Sequence, residues 1–251
     1  CGELLCEGAY PLRIVLVETS SGSGTETTAN MRDESGMPTL FLYEDLWRSK
    51  GPLVRSRLLS MLGRQKRIYA RNCRVEPVSA ALAASFLRKH HLYGATKASV
   101  RYCLVRDRAT GLRETGMEQL PSGDRLVAVA LFSPQGSGMW QWERYACLSG
   151  YRVDGGMGKI FRRFIADHKP SQVMTYADLE WSEGAVYRLL GFREAGDTEP
   201  VEFVLDPLSG ERIHLSKIGR DRKWRDTIPD GRIIRNLGSR RWIIDFPEVG
   251  V

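Results

Sequence analysis

The stretch VDGGMGKIFRRF, Val153 to Phe164, places three glycines within four residues directly before an apolar and basic pattern at helical spacing. The first N–H groups of a helix lack intrahelical partners and sit at the positive end of its dipole, so such a turn can cradle phosphate. Glycine supplies the backbone angles and the close approach that a cradle needs. The candidate cradle comprises Gly155, Gly156, Met157, Gly158 and Lys159. The alternative reading is a plain flexible turn, and the flanking sequence has to decide between them.

Upstream lie three strand-like runs, SVRYCLVRD (Ser99 to Asp107), RLVAVALFS (Arg125 to Ser133) and GMWQWERYACL (Gly138 to Leu148). The segments joining them are rich in turn residues, which predicts an antiparallel meander and argues against a dinucleotide site built on a βαβ unit. Downstream, KIFRRFIADH is amphipathic at helical spacing, QVMTYADLE reads as a short buried strand, SEGAVYRLLGF as a short helix and PVEFVLD as a last strand. Before the meander, SAALAASFLRKHHLYG has a Ser cap, strong helix formers and a Gly stop. The order from residue 80 is helix, three strands, glycine turn, helix, strand, helix, strand, a mixed α/β layer.

Nearer the N-terminus a short strand is expected near Arg13–Val17 and a polar, Gly- and Ser-rich linker from Ser20 to Gly36, poorly ordered on composition. TLFLYEDLW then runs into a helical pattern with Pro52 in a first turn, an apolar face of Val54, Leu58 and Met61 or Leu62, and Gly63 as the stop. The expected segments are an extension and linker (1–38), a basic strand–helix segment (39–78), the α/β domain (79–208) and a basic C-terminal extension (209–251).

The 251 residues carry a formal charge of +7, unevenly spread. Nine Lys or Arg and no acid lie between Leu46 and Val75, and ten against three Asp between Arg212 and Trp242. Clustered positive charge suggests nucleic acid or another polyanion, with a solvated face as the alternative. The residues singled out for nucleic acid are Arg55, Arg57, Arg64, Lys66, Arg67, Arg222, Lys223 and Trp224; Trp224 and Trp242 stand inside basic runs as stacking surfaces. Five scattered cysteines with no CxxC pair point to a reducing compartment rather than a disulfide framework or zinc ribbon. No apolar run reaches the roughly 20 residues of a membrane-spanning helix.

Gly156-Met157-Gly158, followed about 30 residues later by Tyr187, Gly191 and Phe192 in AVYRLLGFRE, resembles the GNAT superfamily of acyltransferases. That family pairs a Q/R-x-x-G-x-G/A turn with a later Tyr-x-x-x-Gly-Phe helix. The resemblance implies a mixed, mostly antiparallel sheet flanked by helices, acetyl-CoA or a related acyl donor, and an amine acceptor. Val153 occupies the position of the family's Gln or Arg, so a side-chain contact to the donor's pyrophosphate is lost there. FLYEDLW, RSRLLSMLG, RIYARNC, FLRKHHLYG, GGMGKIFRRFI and YADLEWSEGAVYRLLGF further resemble the C-terminal GNAT-like region of phage proteins described as homing endonucleases, and of plant proteins carrying the same region. The plant likeness, with a first residue other than Met, points to plastid or mitochondrion. Upstream of FLYEDLW there is mostly linker, so nuclease activity is not supported.

Acyl transfer to an amine needs an acid for the departing thiolate and a base for the amine proton. The resemblance implies Tyr187 as the acid, against a buried aromatic role. Glu143, in the strand WQWERYA, either faces the cleft as the base or points to solvent in an alternating strand. Asp178 matches the phage motif and ends a strand; it is a catalytic group or a helix cap. His91 matches the motif HHLYG as a proton-transfer or structural residue, with no second ligand at a metal-binding spacing. No metal site is expected. The second functional reading is a GNAT-like module without catalysis, docking on nucleic acid or in a nucleoprotein complex through its basic segments.

Overall fold

A computed structural model describes residues 2–19, 37–106, 118–218 and 224–247. The expected linker from Ser20 to Gly36 and the candidate residues Arg222 and Lys223 lie outside them, as does the side chain of Trp224. The chain forms two compact units, one of Cys1–Val54, Ala177–Val186 and Glu194–Arg241, the other of Arg55–Tyr176, Tyr187–Arg193 and Trp242–Val251. They cut across the segments expected from sequence, because strands distant in the chain pair with one another.

In the first unit β1 (Gly2–Cys6) runs antiparallel to β2 (Leu12–Val17), and β2 parallel to β3 (Thr39–Tyr43). Alternate apolar residues close a core of Val15, Val17, Phe41, Tyr43, Leu179 and Leu237. Helix α1 (Glu44–Met61) leaves helical geometry at Lys50, two residues before Pro52, whose ring and missing N–H suit the start of a new turn. A second sheet, in the order β13 (Arg212–His214), β12 (Glu202–Leu205), β14 (Arg232–Arg235), comes partly from the C-terminal segment that composition marked only as basic.

The second unit carries most of a seven-stranded sheet. Its order is β11 (Arg193–Asp197), β15 (Ser239–Asp245), β10 (Gln172–Asp178), β8 (Met139–Cys147), β7 (Arg125–Gly136), β6 (Val100–Arg106), β5 (Arg74–Pro77). The run β5 to β8 is antiparallel, as the turn-rich joins predict; β8 and β10 are parallel. Helix α2 (Ala80–His90), capped by Ser79, and helix α3 (Gly156–His168) pack on the sheet, giving the mixed, mostly antiparallel layer flanked by helices. The inner face of α3 is aromatic: Phe164 stacks on Phe132 with ring centroids 4.0 Å apart, and Phe161 on Trp142 at 5.3 Å.

Two features depart from the sequence expectations. Strand β4 (Lys66–Tyr69), from the basic segment, pairs in parallel with β9 (Tyr151–Asp154), the strand that enters the glycine turn. Trp242, expected on a nucleic-acid surface, is 1% exposed and packs against Tyr187, a correction that follows from the apolar strand WII around it. Among the described residues no helix is long and apolar enough to cross a membrane.

Candidate functional site

The glycine turn forms where β9 ends. Gly155 caps α3 in the left-handed region (φ 74°), a conformation that favours glycine, and the N–H groups of Gly156, Met157 and Gly158 open the helix without intrahelical acceptors. The two glycines of the motif are also packing glycines. A Cβ on Gly156 would lie 2.3 Å from the Tyr145 hydroxyl and 2.9 Å from a Val153 methyl; one on Gly158 would lie 3.3 Å from Leu190. The two sequence signatures therefore touch: Gly158 meets the segment that carries Tyr187 and Gly191. Lys159 turns away from the turn, its Nζ donating to the carbonyls of Ala70 (3.0 Å) and Cys73 (2.5 Å), so it ties the short 3₁₀ turn Ala70–Asn72 to α3. Val153 is buried and paired opposite Ile68 of β4, which explains an apolar residue where the family signature has a polar one.

Parallel pairing between β8 and β10 begins at Met139↔Gln172 and ends at Trp142↔Thr175, and the strands then part. At this fork the Thr175 hydroxyl, fully buried, donates to the Trp142 carbonyl at 3.1 Å and shares a hydrogen bond with the Tyr187 phenol. Tyr187 is on the short helix α4 (Ala185–Leu189), its ring 6.2 Å edge-on from Trp142 and 5.7 Å from Phe192. Burial pushes its phenol above the ordinary value, which keeps the proton on at neutral pH.

One step along β8 the register breaks: Trp142 pairs with Phe132 and Arg144 with Leu131, leaving Glu143 unpaired in a β-bulge. A bulge exposes backbone groups that a regular ladder would consume and re-aims the side chains at it. The Glu143 carboxylate accepts a hydrogen bond from the Gln141 amide at 2.9 Å. Arg144 donates from Nη1 to the Glu143 carbonyl at 2.8 Å and lies within electrostatic reach of Tyr93 and Tyr187; burial lowers its pKa. Sequence reading missed the bulge, although the adjacent charges Glu143-Arg144, which interrupt the alternation of WQWERYA, were the available signal.

Asp178, in the first unit, forms a turn: its carboxylate accepts the Glu180 N–H at 2.9 Å and its carbonyl those of Trp181 and Ser182. His91 caps α2 and accepts the Tyr93 N–H at 3.1 Å through Nδ1. Arg55 and Arg64 are exposed, while Arg57 is half-buried and within electrostatic reach of Tyr187. Lys66 lies over the Tyr151 ring at 5.7 Å; Arg67 binds Asp154 at 2.6 Å and, with Arg71, flanks the ring of Tyr69, which is 42% exposed. No group of three or more His, Cys, Asp or Glu among the described residues is arranged to hold a metal ion.

No protein-family model matches the chain, and no curated protein does. Among solved structures it is similar to an IAA acetyltransferase from Bacillus cereus (14% identity, TM-score 0.41, covering 69% of this chain and 99% of that one). It is also similar to a GNAT family acetyltransferase from Elizabethkingia anophelis with acetyl-CoA bound (9% identity, TM-score 0.41, 70% and 99%). A third is the ribosomal-protein-S18-alanine N-acetyltransferase from Escherichia coli (11% identity, TM-score 0.41, 71% and 96%). At these scores and identities the superpositions assign no residue of this chain a role.

Proposed function

We propose that the second unit transfers an acyl group from a thioester donor of the acetyl-CoA type to an amine. The observation that carries this reading is the fork: a protonated phenol, Tyr187, is hydrogen-bonded at the last paired residue of two diverging parallel strands, and the next residue of β8 is a bulged glutamate. Bound there, the donor would supply the activated carbonyl. The chain's part is to bring the amine to that carbonyl, with Glu143 accepting the amine proton directly or through a water and Tyr187 donating to the sulfur as the C–S bond breaks. The unpaired N–H groups at the start of α3 suit a pyrophosphate; the contact is made by backbone alone, since Val153 is buried and Lys159 is engaged elsewhere. Calorimetric titration with acetyl-CoA tests the reading: wild type binds, Gly156→Glu does not, and absence of heat with wild type defeats the proposal.

A second reading has its own support. Lys66, Arg67, Tyr69, Arg71 and Arg152 lie on or beside the β4–β9 ladder, an exposed basic and aromatic surface suited to single-stranded nucleic acid. Under it, affinity for an oligonucleotide falls steeply with salt and falls again in Arg67→Gln/Arg71→Gln. Binding that ignores salt removes this reading.

A further inference from the structure

Arg144 is a guanidinium in the wrong place for a surface charge. It stands at the bulge of β8, its Nε is shielded from solvent and has no hydrogen-bond partner, and the carboxylate next to it in sequence, Glu143, is engaged by Gln141 instead. Among the described residues its hydrogen bond, from Nη1, goes to the neutral carbonyl of the adjoining residue, and Glu143 acts on it through charge, not through a hydrogen bond. Burial works against the Arg144 charge and the neighbouring Glu143 carboxylate works for it, but Nε is left without an acceptor, and a guanidinium presents donors in a fork that matches a carboxylate or phosphate. Three of its neighbours belong to the candidate site: Glu143 at the bulge, Tyr187 at the fork, and Tyr93 following helix α2.

We propose that Arg144 binds an oxyanion of the acyl acceptor, a carboxylate or phosphate carried close to the reacting amine. The word acceptor rests on the acyl-transfer reading above; the oxyanion site rests on Arg144 alone. An anion held here would neutralise the guanidinium, satisfy Nε, and fix the amine relative to Glu143. The acceptor class is then amino acids, peptide or protein termini with a nearby acid, or aminoalkyl phosphates, and not simple alkylamines. Arg144 is a specificity residue in this scheme, since it touches the acceptor away from the bond that forms.

The test compares wild type, Arg144→Gln and Arg144→Lys. Thermal midpoints are recorded at constant ionic strength without ligand, with acetate and with inorganic phosphate. Wild type is expected to gain several degrees with at least one anion, and the preferred anion separates a carboxylate from a phosphate acceptor. Arg144→Gln gains nothing, while Arg144→Lys gains less than wild type. Without ligand Arg144→Gln should equal or exceed wild type, because a shielded Nε donor without an acceptor has been removed; a drop of several degrees would mark Arg144 as structural and overturn the proposal. Equal anion responses in wild type and Arg144→Gln would also overturn it. In turnover with acetyl-CoA, replacing the acceptor's acid by its amide should lower kcat/KM at least tenfold in wild type and leave Arg144→Gln unaffected. If acetyl-CoA neither binds nor turns over while the anion response still depends on Arg144, the acyl-transfer reading fails and the anion site stands.

Discussion

At Gly156 two explanations for one glycine make opposite predictions. If its role is to leave room for the Tyr145 hydroxyl, Gly156→Ala overpacks the site and costs about 1–3 kcal/mol, and Tyr145→Phe on the same chain recovers part of that loss, the close Val153 methyl remaining. If the glycine also lets phosphate approach the backbone, the double variant regains that part of its stability and still binds acetyl-CoA weakly; a denaturation midpoint and a calorimetric titration on each variant separate the two. Tyr187 offers a cleaner residue-scale test. Its phenol shares a hydrogen bond with Thr175, and burial raises its pKa above the ordinary value. Tyr187→Phe should therefore leave acetyl-CoA affinity within a few-fold and lower kcat by roughly 10²–10⁴, the range for a general acid. A kcat unchanged with a good acceptor would remove Tyr187 from the chemistry.

The fold of the second unit was legible from its elements, since the meander, the glycine turn, helix α3 and strand β10 all have periodic apolar faces. The candidate site was legible only in part. Tyr187 and the glycines stood out as spaced motifs, but the bulge at Glu143 depends on how β8 registers with β7, which the adjacent charges Glu143-Arg144 hint at without fixing. Lys159 shows the same limit: a lysine after a glycine turn invites a phosphate, yet its partners are carbonyls of the 3₁₀ turn nearly ninety residues away in sequence. The element-scale prediction follows from that contact. Lys159→Met removes a donor from two carbonyls, of which Ala70 keeps the Cys73 N–H, and should cost about 1–3 kcal/mol, with acetyl-CoA affinity unchanged. The reverse, full stability with weakened binding, would return Lys159 to the donor site.

On the scale of the whole molecule, the basic excess divides into charges with different tasks. Of the ten basic residues in the C-terminal run, Arg235 pairs with Glu202, Arg240 with Glu183, Glu194 and Asp197, and Arg212 is turned inward, so these three are occupied with acids. In the first unit the buried Arg212 guanidinium meets Asp45 side-on at 2.6 and 3.0 Å, reaches Glu180 at 3.0 Å, and covers the Tyr43 ring at 4.6 Å. The guanidinium faces two carboxylates in a dry setting, with Lys50 acting on Asp45 and Asp178 on Glu180, and burial lifts Glu180 from the ordinary 4.5 to about 8 despite the guanidinium. An acid whose pKa is higher in the folded chain binds more protons folded than unfolded throughout that window, so stability declines as pH rises from 4.5 to about 8 and levels off beyond it. Urea midpoints taken across the window should show this decline in wild type and not in Glu180→Gln, which keeps the volume and drops the charge. Arg212→Met should steepen the decline, losing about 3–5 kcal/mol as both carboxylates lose the guanidinium, and losing most at the alkaline end. A wild-type midpoint that rises from acid to neutral pH, with Glu180→Gln following the same curve, would mean that Glu180 ionises normally and that Arg212 balances both acids.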